Sequence, residues 1–233
     1  MMCLTINIKF FIFSKRQQTQ SLKGRVIQME LAIQKLINSA VQIILFTLIP
    51  FIWWLITARK KTGFFQWIGL KGIKGAKENK TALWILGILL CFTALSVYML
   101  HSLRGIETAT SEFSGLGAAA IPAILIYAIL NTSLPEEILF RGFLLKRISS
   151  KFGFAAGNLV QAVIFGLLHG VMFFSYTGPV KAAVITLFTG AIGWFMGFVN
   201  EKKAEGSLIP GWCIHAAANI FSGLCAAFII FQF

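Results

Sequence analysis

Two adjacent glutamates are the residues of this sequence best suited to chemistry. The chain has eight acidic residues, and most of them fall in loops or beside apolar stretches. Glu136 and Glu137 instead follow Pro135 within an otherwise apolar helical pattern. Charged side chains are rare and costly inside a membrane, so they usually pair with one another and usually serve a function. The pair is therefore the first candidate for a catalytic group.

The spacing of the neighbouring residues gives the two carboxylates different predicted roles. Glu137 and Arg141 are four residues apart with the acid first, the favoured order for an ion pair along a helix. Glu136 lies about 100° around the helix from Glu137. We therefore expect Glu136 to face a cavity as the general base, with the Glu137–Arg141 pair supporting it. A buried ion pair with a purely structural role is the alternative.

Two histidines and an asparagine lie on other apolar segments. His169 follows Phe165 by four residues, and Asn219 follows His215 by four, so each pair shares a helix face. A single histidine in a membrane helix could simply bond a backbone carbonyl. Two histidines, an asparagine and a carboxylate pair on separate apolar segments indicate a joint site. The third histidine, His101, ends a segment and is interpreted as an interface residue.

These side chains are suited to hydrolysis. A carboxylate and an imidazole can together remove a proton from water, and a second imidazole with a carboxamide can donate hydrogen bonds to an oxyanion. No GxSxG motif and no serine or cysteine nucleophile accompany them, so water is the expected attacker. Glu136, His169 and His215 are also zinc-type ligands, but HExxH is absent. A metal-free enzyme and a metalloprotease using a divalent ion such as zinc both stay open.

The elements that carry these residues are predicted to be membrane helices. Of the 233 residues, 57% are hydrophobic and 12% are charged, about half the charged share of a soluble domain. The predicted fold is all-α, a polytopic membrane helix bundle of about six transmembrane helices with a buried polar active site. The predicted spans are 41–58, 82–101, 117–146, 155–175, 181–199 and 207–232.

The basic residues predict the orientation and the surroundings. The net charge is +13, and the positive residues gather in the loops 59–80, 146–154 and 200–206. If all six spans cross, these loops share one side, which the positive-inside rule makes cytoplasmic, with the N-terminus outside. Contact with anionic lipid headgroups follows. Nucleic-acid binding is not expected, because no aromatic-basic platform is present.

The positive charges of the N-terminal residues do not fit this orientation. Residues 1–28 carry five basic residues, which should stay inside. Either they lie upstream of a true start at Met29, or an extra pass precedes residue 41. The first explanation is preferred, because the apolar stretch 4–13 is too short to span a membrane and contains Lys9. The predicted parts are an N-terminal flank at 1–40, N-terminal transmembrane helices at 41–116 and a catalytic membrane core at 117–233.

The glycines and the cysteines are expected to have structural roles. Glycines recur at a spacing of four, which allows membrane helices to approach closely. The cysteines form no CxxC pair and are expected to be small buried hydrophobes, without a disulfide framework or a zinc site. The glycine pairs are Gly153 and Gly157, Gly166 and Gly170, and Gly193 and Gly197; the cysteines are Cys3, Cys91, Cys213 and Cys225.

The motifs EExxxR, FxxxH and HxxxN resemble, in order and spacing, those of the CAAX-protease and bacteriocin-processing (CPBP, or Abi) family of intramembrane proteases. The resemblance covers about residues 117–230. It implies a type II CAAX prenyl protease-like endopeptidase that cleaves peptide bonds of membrane-associated peptides or proteins. By resemblance, Glu136 and His169 activate water, His215 and Asn219 bind the oxyanion, and Glu137 and Arg141 fill the remaining motif positions. The family is often described as metal-dependent, although a metal-free glutamate mechanism is also argued for it.

The composition, low in charge and rich in isoleucine and lysine, favours a bacterial cell membrane. The expected role is peptide processing, such as bacteriocin maturation or self-immunity, and not prenyl-protein trimming. A non-catalytic scaffold or immunity protein that retains the motif is the first alternative. A small transporter using Glu136 and Glu137 as a proton relay is the second, and missing inverted repeats argue against it.

Overall fold

The structure is a computed structural model that describes the backbone of residues 2–73, 77–102 and 105–230. Side chains are described within 28–73, 80–101 and 105–230, except for Tyr98 and Leu100. Several predictions fall outside the described side chains. They concern residues 1–27, which include the upstream segment and Cys3, and the side chains of Lys74, Lys77 and Arg104.

Most of the described residues are helical, with no strand among them, which confirms the all-α prediction. Segments of π-helix at Tyr127–Ser133, Ile138–Leu145 and Val199–Lys203 join neighbouring α-helices, and short 3₁₀ turns lie at Ser111–Phe113 and Gly117–Ala120. The α-helices are α1 (Met2–Thr57), α2 (Phe64–Ile68), α3 (Lys77–Ser102), α4 (Ile121–Ile126), α5 (Leu134–Glu137), α6 (Lys146–Phe198) and α7 (Ile209–Ala227).

Two glycines divide α6 into shorter helices. Gly153 has φ 83° and Gly178 has φ 74°, and both depart from helical geometry. Glycine adopts this left-handed region without the penalty that a Cβ imposes. The breaks fall in or beside the loops predicted around 146–154 and between residues 175 and 181.

Three helical stretches in the described part of the chain are long and apolar enough to cross a membrane. They are Gln28–Thr57, Lys80–Val97 and Gly117–Lys203, with mean hydropathies of 2.1, 1.9 and 1.9. The third contains 87 residues and includes both glycine breaks, whereas one crossing needs about 20 residues. The chain is therefore an integral membrane protein. The count of six spans stays a prediction.

Close packing through glycine joins the two long parts of α6. A Cβ on Gly166 would collide with the carbonyl oxygen of Thr186, and a Cβ on Gly170 would collide with the Thr186 hydroxyl. Gly193 and Gly197 similarly face Arg141 and Asn158. The packing prediction is confirmed for these two pairs, and Gly157 packs against Ser149. It is wrong for Gly153, where a Cβ would meet nothing within 4 Å and the glycine instead permits the chain reversal.

The basic loops meet at one end of the bundle, which we call the basic end (residues 59–73, 146–153 and 199–208). The Leu208 amide donates to the Gly69 carbonyl at 2.8 Å. The Lys146 ammonium donates to Glu201 at 2.6 Å and to the Gly206 carbonyl at 2.8 Å. These loops thus share a side, as predicted, while their cytoplasmic location stays a prediction.

A buried cluster of large side chains links α3, α6 and α7 around the centre of the bundle. It contains Ile88, Phe92, Phe140, Phe165, Met196, Val199 and Ile214. The ring of Phe165 packs edge-on against that of Phe140, with centroids 5.1 Å apart. Phe165 thereby occupies the middle of the bundle, next to the residues predicted to carry chemistry.

The cysteine prediction is only partly confirmed. Cys225 is buried, as expected, but Cys91 and Cys213 are exposed. These two lie on the outer surface of apolar helices. A membrane helix can present a small apolar side chain to lipid as readily as to its neighbours.

Candidate active site

The acidic pair sits in a short helix between two π-helical segments. α5 is four residues long, with Pro135 in its first turn and both glutamates following it. Segments of π-helix occur frequently at functional sites, because they turn side chains out of the regular α-helical register. Here they precede and follow α5 directly.

Glu137 and Arg141 form the ion pair that their spacing predicts. The Arg141 guanidinium donates to Glu137 Oε1 at 3.0 Å, and both side chains are fully buried. The guanidinium carbon lies 4.2 Å from the centre of the Phe165 ring. Arg141 is therefore held by a carboxylate and by an aromatic face, both of which favour a cation.

His215 lies between the two carboxylates and joins α7 to α5. Its Nδ1 is 3.2 Å from Glu137 Oε1, and its Nε2 is 3.7 Å from Glu136 Oε2. An ionised carboxylate only accepts hydrogen bonds, so Nδ1 carries the proton that it donates to Glu137. The Nε2 atom then faces Glu136, whose side chain is 22% exposed, in contrast to the fully buried Glu137.

His169 lies beside this group and leaves one nitrogen open. Its Nδ1 is 2.8 Å from the Phe165 carbonyl oxygen. A carbonyl only accepts, so Nδ1 is the donor and Nε2 of the neutral ring is an acceptor. Both imidazoles contact the Phe165 ring, with centroid distances of 4.6 Å for His169 and 5.8 Å for His215.

Asn219 is oriented by two hydroxyl groups. Its Nδ2 donates to Thr132 Oγ1 at 2.7 Å and to Ser133 Oγ at 3.2 Å, so both amide hydrogens are engaged. Neither hydroxyl residue was predicted as a site residue. The available signal was the polar run from Asn131 to Ser133 within an apolar segment.

A cavity of about 200 Å³ brings three of the predicted residues together. His169, His215 and Asn219 line it, among mostly apolar side chains of α3, α6 and α7. A larger groove of about 460 Å³ lies between α3 and Phe195 on the outside of the bundle and holds none of the predicted residues. The smaller cavity is therefore the place where a substrate carbonyl could meet them.

One expected pairing differs from the observed contacts. Glu136 was expected to act with His169, but the imidazole that its carboxylate approaches is that of His215. Because His169 turns its Nδ1 toward Phe165, it joins the group through the cavity and not through a direct contact with the acid pair. The roles of the six residues stay predictions.

The predicted ligands do not fit a metal ion in this arrangement. In the described part of the chain, no three side chains among histidine, cysteine, aspartate and glutamate are placed to hold one ion. Glu136 and His215 approach each other, while His169 does not complete the set.

One further buried side chain beside the acid pair was missed from the sequence. Asn200 is fully buried, and the Gly211 amide donates to its Oδ1 at 2.7 Å. Its position at the end of the predicted span 181–199, just before Lys202 and Lys203, suggested a loop residue.

Comparison with known proteins agrees with the motifs. Residues 118–221 match the family model described as type II CAAX prenyl endopeptidase Rce1-like. The matched segment contains all six motif residues, from Glu136 to Asn219. The resemblance to the CPBP family is thereby confirmed. No curated protein and no solved structure matches the chain.

Proposed function

We propose that the CPBP-type domain at residues 118–221 makes this membrane protein a CAAX-type intramembrane endopeptidase. The expected substrates are membrane-associated peptides or proteins. The family match supports the reaction class. The observation that carries the proposal is the position of His215, which lies between two carboxylates at a cavity within an apolar bundle.

Water activation is assigned to Glu136 and His169. A cavity of about 200 Å³ has room for several waters, since each occupies about 30 Å³. Glu136, the more exposed carboxylate, would take the proton from the attacking water as general base. The open Nε2 of His169 would accept the second hydrogen bond of that water and orient it toward the scissile carbonyl.

Oxyanion binding is assigned to His215 and Asn219. When protonated on both nitrogens, His215 can donate from Nδ1 to Glu137 and from Nε2 into the site. Asn219 would contribute the hydrogen that makes its longer bond, at 3.2 Å to Ser133. Donors aimed at the developing oxyanion are usually a large part of catalysis. The proton held by Glu136 then passes to the leaving amine, which completes hydrolysis.

Glu137 and Arg141 have the supporting role. Glu137 Oε1 receives hydrogen bonds from both Arg141 and His215, which sets the His215 tautomer and the direction of its ring. A third group that orients an imidazole in this way is common in hydrolytic sites.

For the biological role, we propose peptide processing in a bacterial cell membrane, such as bacteriocin maturation or self-immunity, in preference to prenyl-protein trimming. The composition supports the bacterial assignment. The basic end supports contact with anionic headgroups, because its exposed lysines include Lys60, Lys61 and Lys151.

The test is cleavage of a library of membrane-anchored peptides by the chain reconstituted in vesicles. We expect Glu136→Gln and His169→Asn to keep the fold and to lower kcat/KM by about 10²–10⁴-fold, as loss of a general base or of its partner does. Glu107→Gln, a change at an exposed loop carboxylate, is the matched control and should cleave normally. Full cleavage by Glu136→Gln would refute the mechanism. Full complementation of a deletion strain by that variant would favour the scaffold alternative.

A further inference from the structure

Asn200 lies where the loop before α7 meets the acid pair. It is fully buried at the π-helical segment that follows α6. A Cβ placed on Gly211 would lie 2.7 Å from Asn200 Nδ2 and 2.7 Å from Glu137 Oε2. The amide nitrogen and the carboxylate oxygen therefore both border the space that this glycine leaves open.

The two atoms that border this space are a donor and an acceptor, and neither has a hydrogen-bond partner. Glu137 Oε1 accepts hydrogen bonds from Arg141 and His215, while Oε2 is buried without a hydrogen bond. Asn200 Nδ2 is also buried without one. A buried polar atom that lacks a partner is costly, so a small movement that joins these two atoms is favourable.

Asn200 also sets the position of His215. Its Oδ1 accepts the Gly211 amide hydrogen at 2.7 Å in the first turn of α7. His215 follows Gly211 by four residues, one helical turn later on the same face. The asparagine thereby connects the start of α7 with the carboxylate that His215 must reach.

We infer that Asn200 is a positioning residue of this site, holding the start of α7 through Gly211 and placing its amide near the second oxygen of Glu137. Asn200 contacts neither the cavity nor a reacting atom. It keeps His215 in register between Glu136 and Glu137. The expected effect on catalysis rests on the proposed function. The expected effect on His215 rests on the geometry alone.

The charges around Glu137 predict the direction of the effect. Among the described residues, Arg141 on the following π-helical segment and His215 on α7 contact Glu137 Oε1. Asn200→Asp keeps the acceptor for Gly211 but replaces the amide donor with a carboxylate. A further negative charge next to Glu137 repels that carboxylate and disturbs its contact with His215.

The first test is Asn200→Asp in the full chain. We expect kcat to fall at least tenfold with little change in KM, because the change acts on the orientation of His215 and not on substrate binding. The second readout is the nitrogen NMR signal of the His215 Nδ1 atom at one fixed pH, which should move because its hydrogen bond to Glu137 changes. That signal does not require cleavage, so failure of the proposed function would leave it intact.

Asn158→Asp is the matched control. Asn158 is also fully buried, but it donates to the Trp194 carbonyl at 3.0 Å and accepts from Gln161 at 2.9 Å. This variant should lose stability without moving the His215 Nδ1 signal.

Should Asn200→Asp fail to fold, Gly211→Ala inserts a methyl group between the amide and the carboxylate. It should also move the His215 Nδ1 signal. An unchanged His215 Nδ1 signal in the folded variants would overturn the inference.

Discussion

His215 lies between two carboxylates that differ in burial, and this difference separates their roles. Glu137 is fully buried and already shares an oxygen with Arg141, whereas Glu136 is 22% exposed and approaches only the far nitrogen of the ring. A buried ion pair is strongly destabilised when one partner is removed, because an uncompensated charge stays behind. Glu137 is therefore expected to matter for folding as well as for activity, and Glu136 chiefly for activity.

This difference is measurable by thermal or denaturant unfolding in detergent. Glu137→Gln should lower the free energy of unfolding by roughly 3–5 kcal/mol, because it leaves Arg141 buried without its counter-ion. Glu136→Gln should change it by less than about 1 kcal/mol, since no cation depends on that carboxylate alone. Adding Arg141→Gln to Glu137→Gln should recover part of the loss. Equal losses in the two single variants would contradict the assignment of Glu137 as the structural partner.

Asn219 offers a second prediction at this scale. Asn219→Leu should lower kcat by about 10²–10³-fold with little change in KM, as loss of an oxyanion donor does. Thr132→Val, which removes the shorter of the two bonds that orient Asn219, should have a smaller effect in the same direction. A large rise in KM with unchanged kcat in Asn219→Leu would instead indicate a substrate-binding role.

At the scale of elements, glycine spacing sets how closely the helices approach. Gly166→Ala would force the two long parts of α6 apart at the Thr186 carbonyl and should destabilise by about 1–3 kcal/mol. Gly87→Ala is the control, because a Cβ there meets nothing within 4 Å and alanine favours a helix. Unfolding of both variants in the same detergent checks the prediction. If Gly166→Ala is as stable as Gly87→Ala, the close approach does not contribute to folding.

The sequence was informative about helix content and about which residues carry charge into the bundle. Apolar length predicts the helices, and a spacing of four predicts the Glu137–Arg141 pair, because both depend on local geometry. The partner of Glu136 could not be predicted in this way. It depends on how α7 docks against α5, and that docking involves Gly211, Asn200 and π-helical segments that no local pattern signals. For Gly153 the loop was predicted but the packing role was wrong, because a spacing of four does not signal that the chain reverses there.

At the scale of the whole molecule, the candidate site lies between two ends of different charge. The basic end gathers the lysine-rich loops around Glu201 and Gly206. At the opposite end, Thr110 and Ser222 hydroxyls are 3.2 Å apart, and Ser222 also lines the cavity. The cavity therefore extends from His215, which contacts the buried carboxylates, toward the end that has fewer basic residues.

The orientation of these ends can be tested by cysteine labelling in intact cells with a membrane-impermeant maleimide. In a background whose native cysteines are replaced by serine, Glu107→Cys should label from outside. Lys61→Cys and Lys151→Cys should label only after the membrane is opened, because positive loops are retained in the cytoplasm. All three positions are exposed, so access to solvent does not differ among them. Lys61 and Lys151 belong to loops that meet at the basic end, so labelling them from opposite sides would contradict the fold itself. If both were labelled from outside, only the predicted orientation would be inverted, and the cavity would then open toward the cytoplasm.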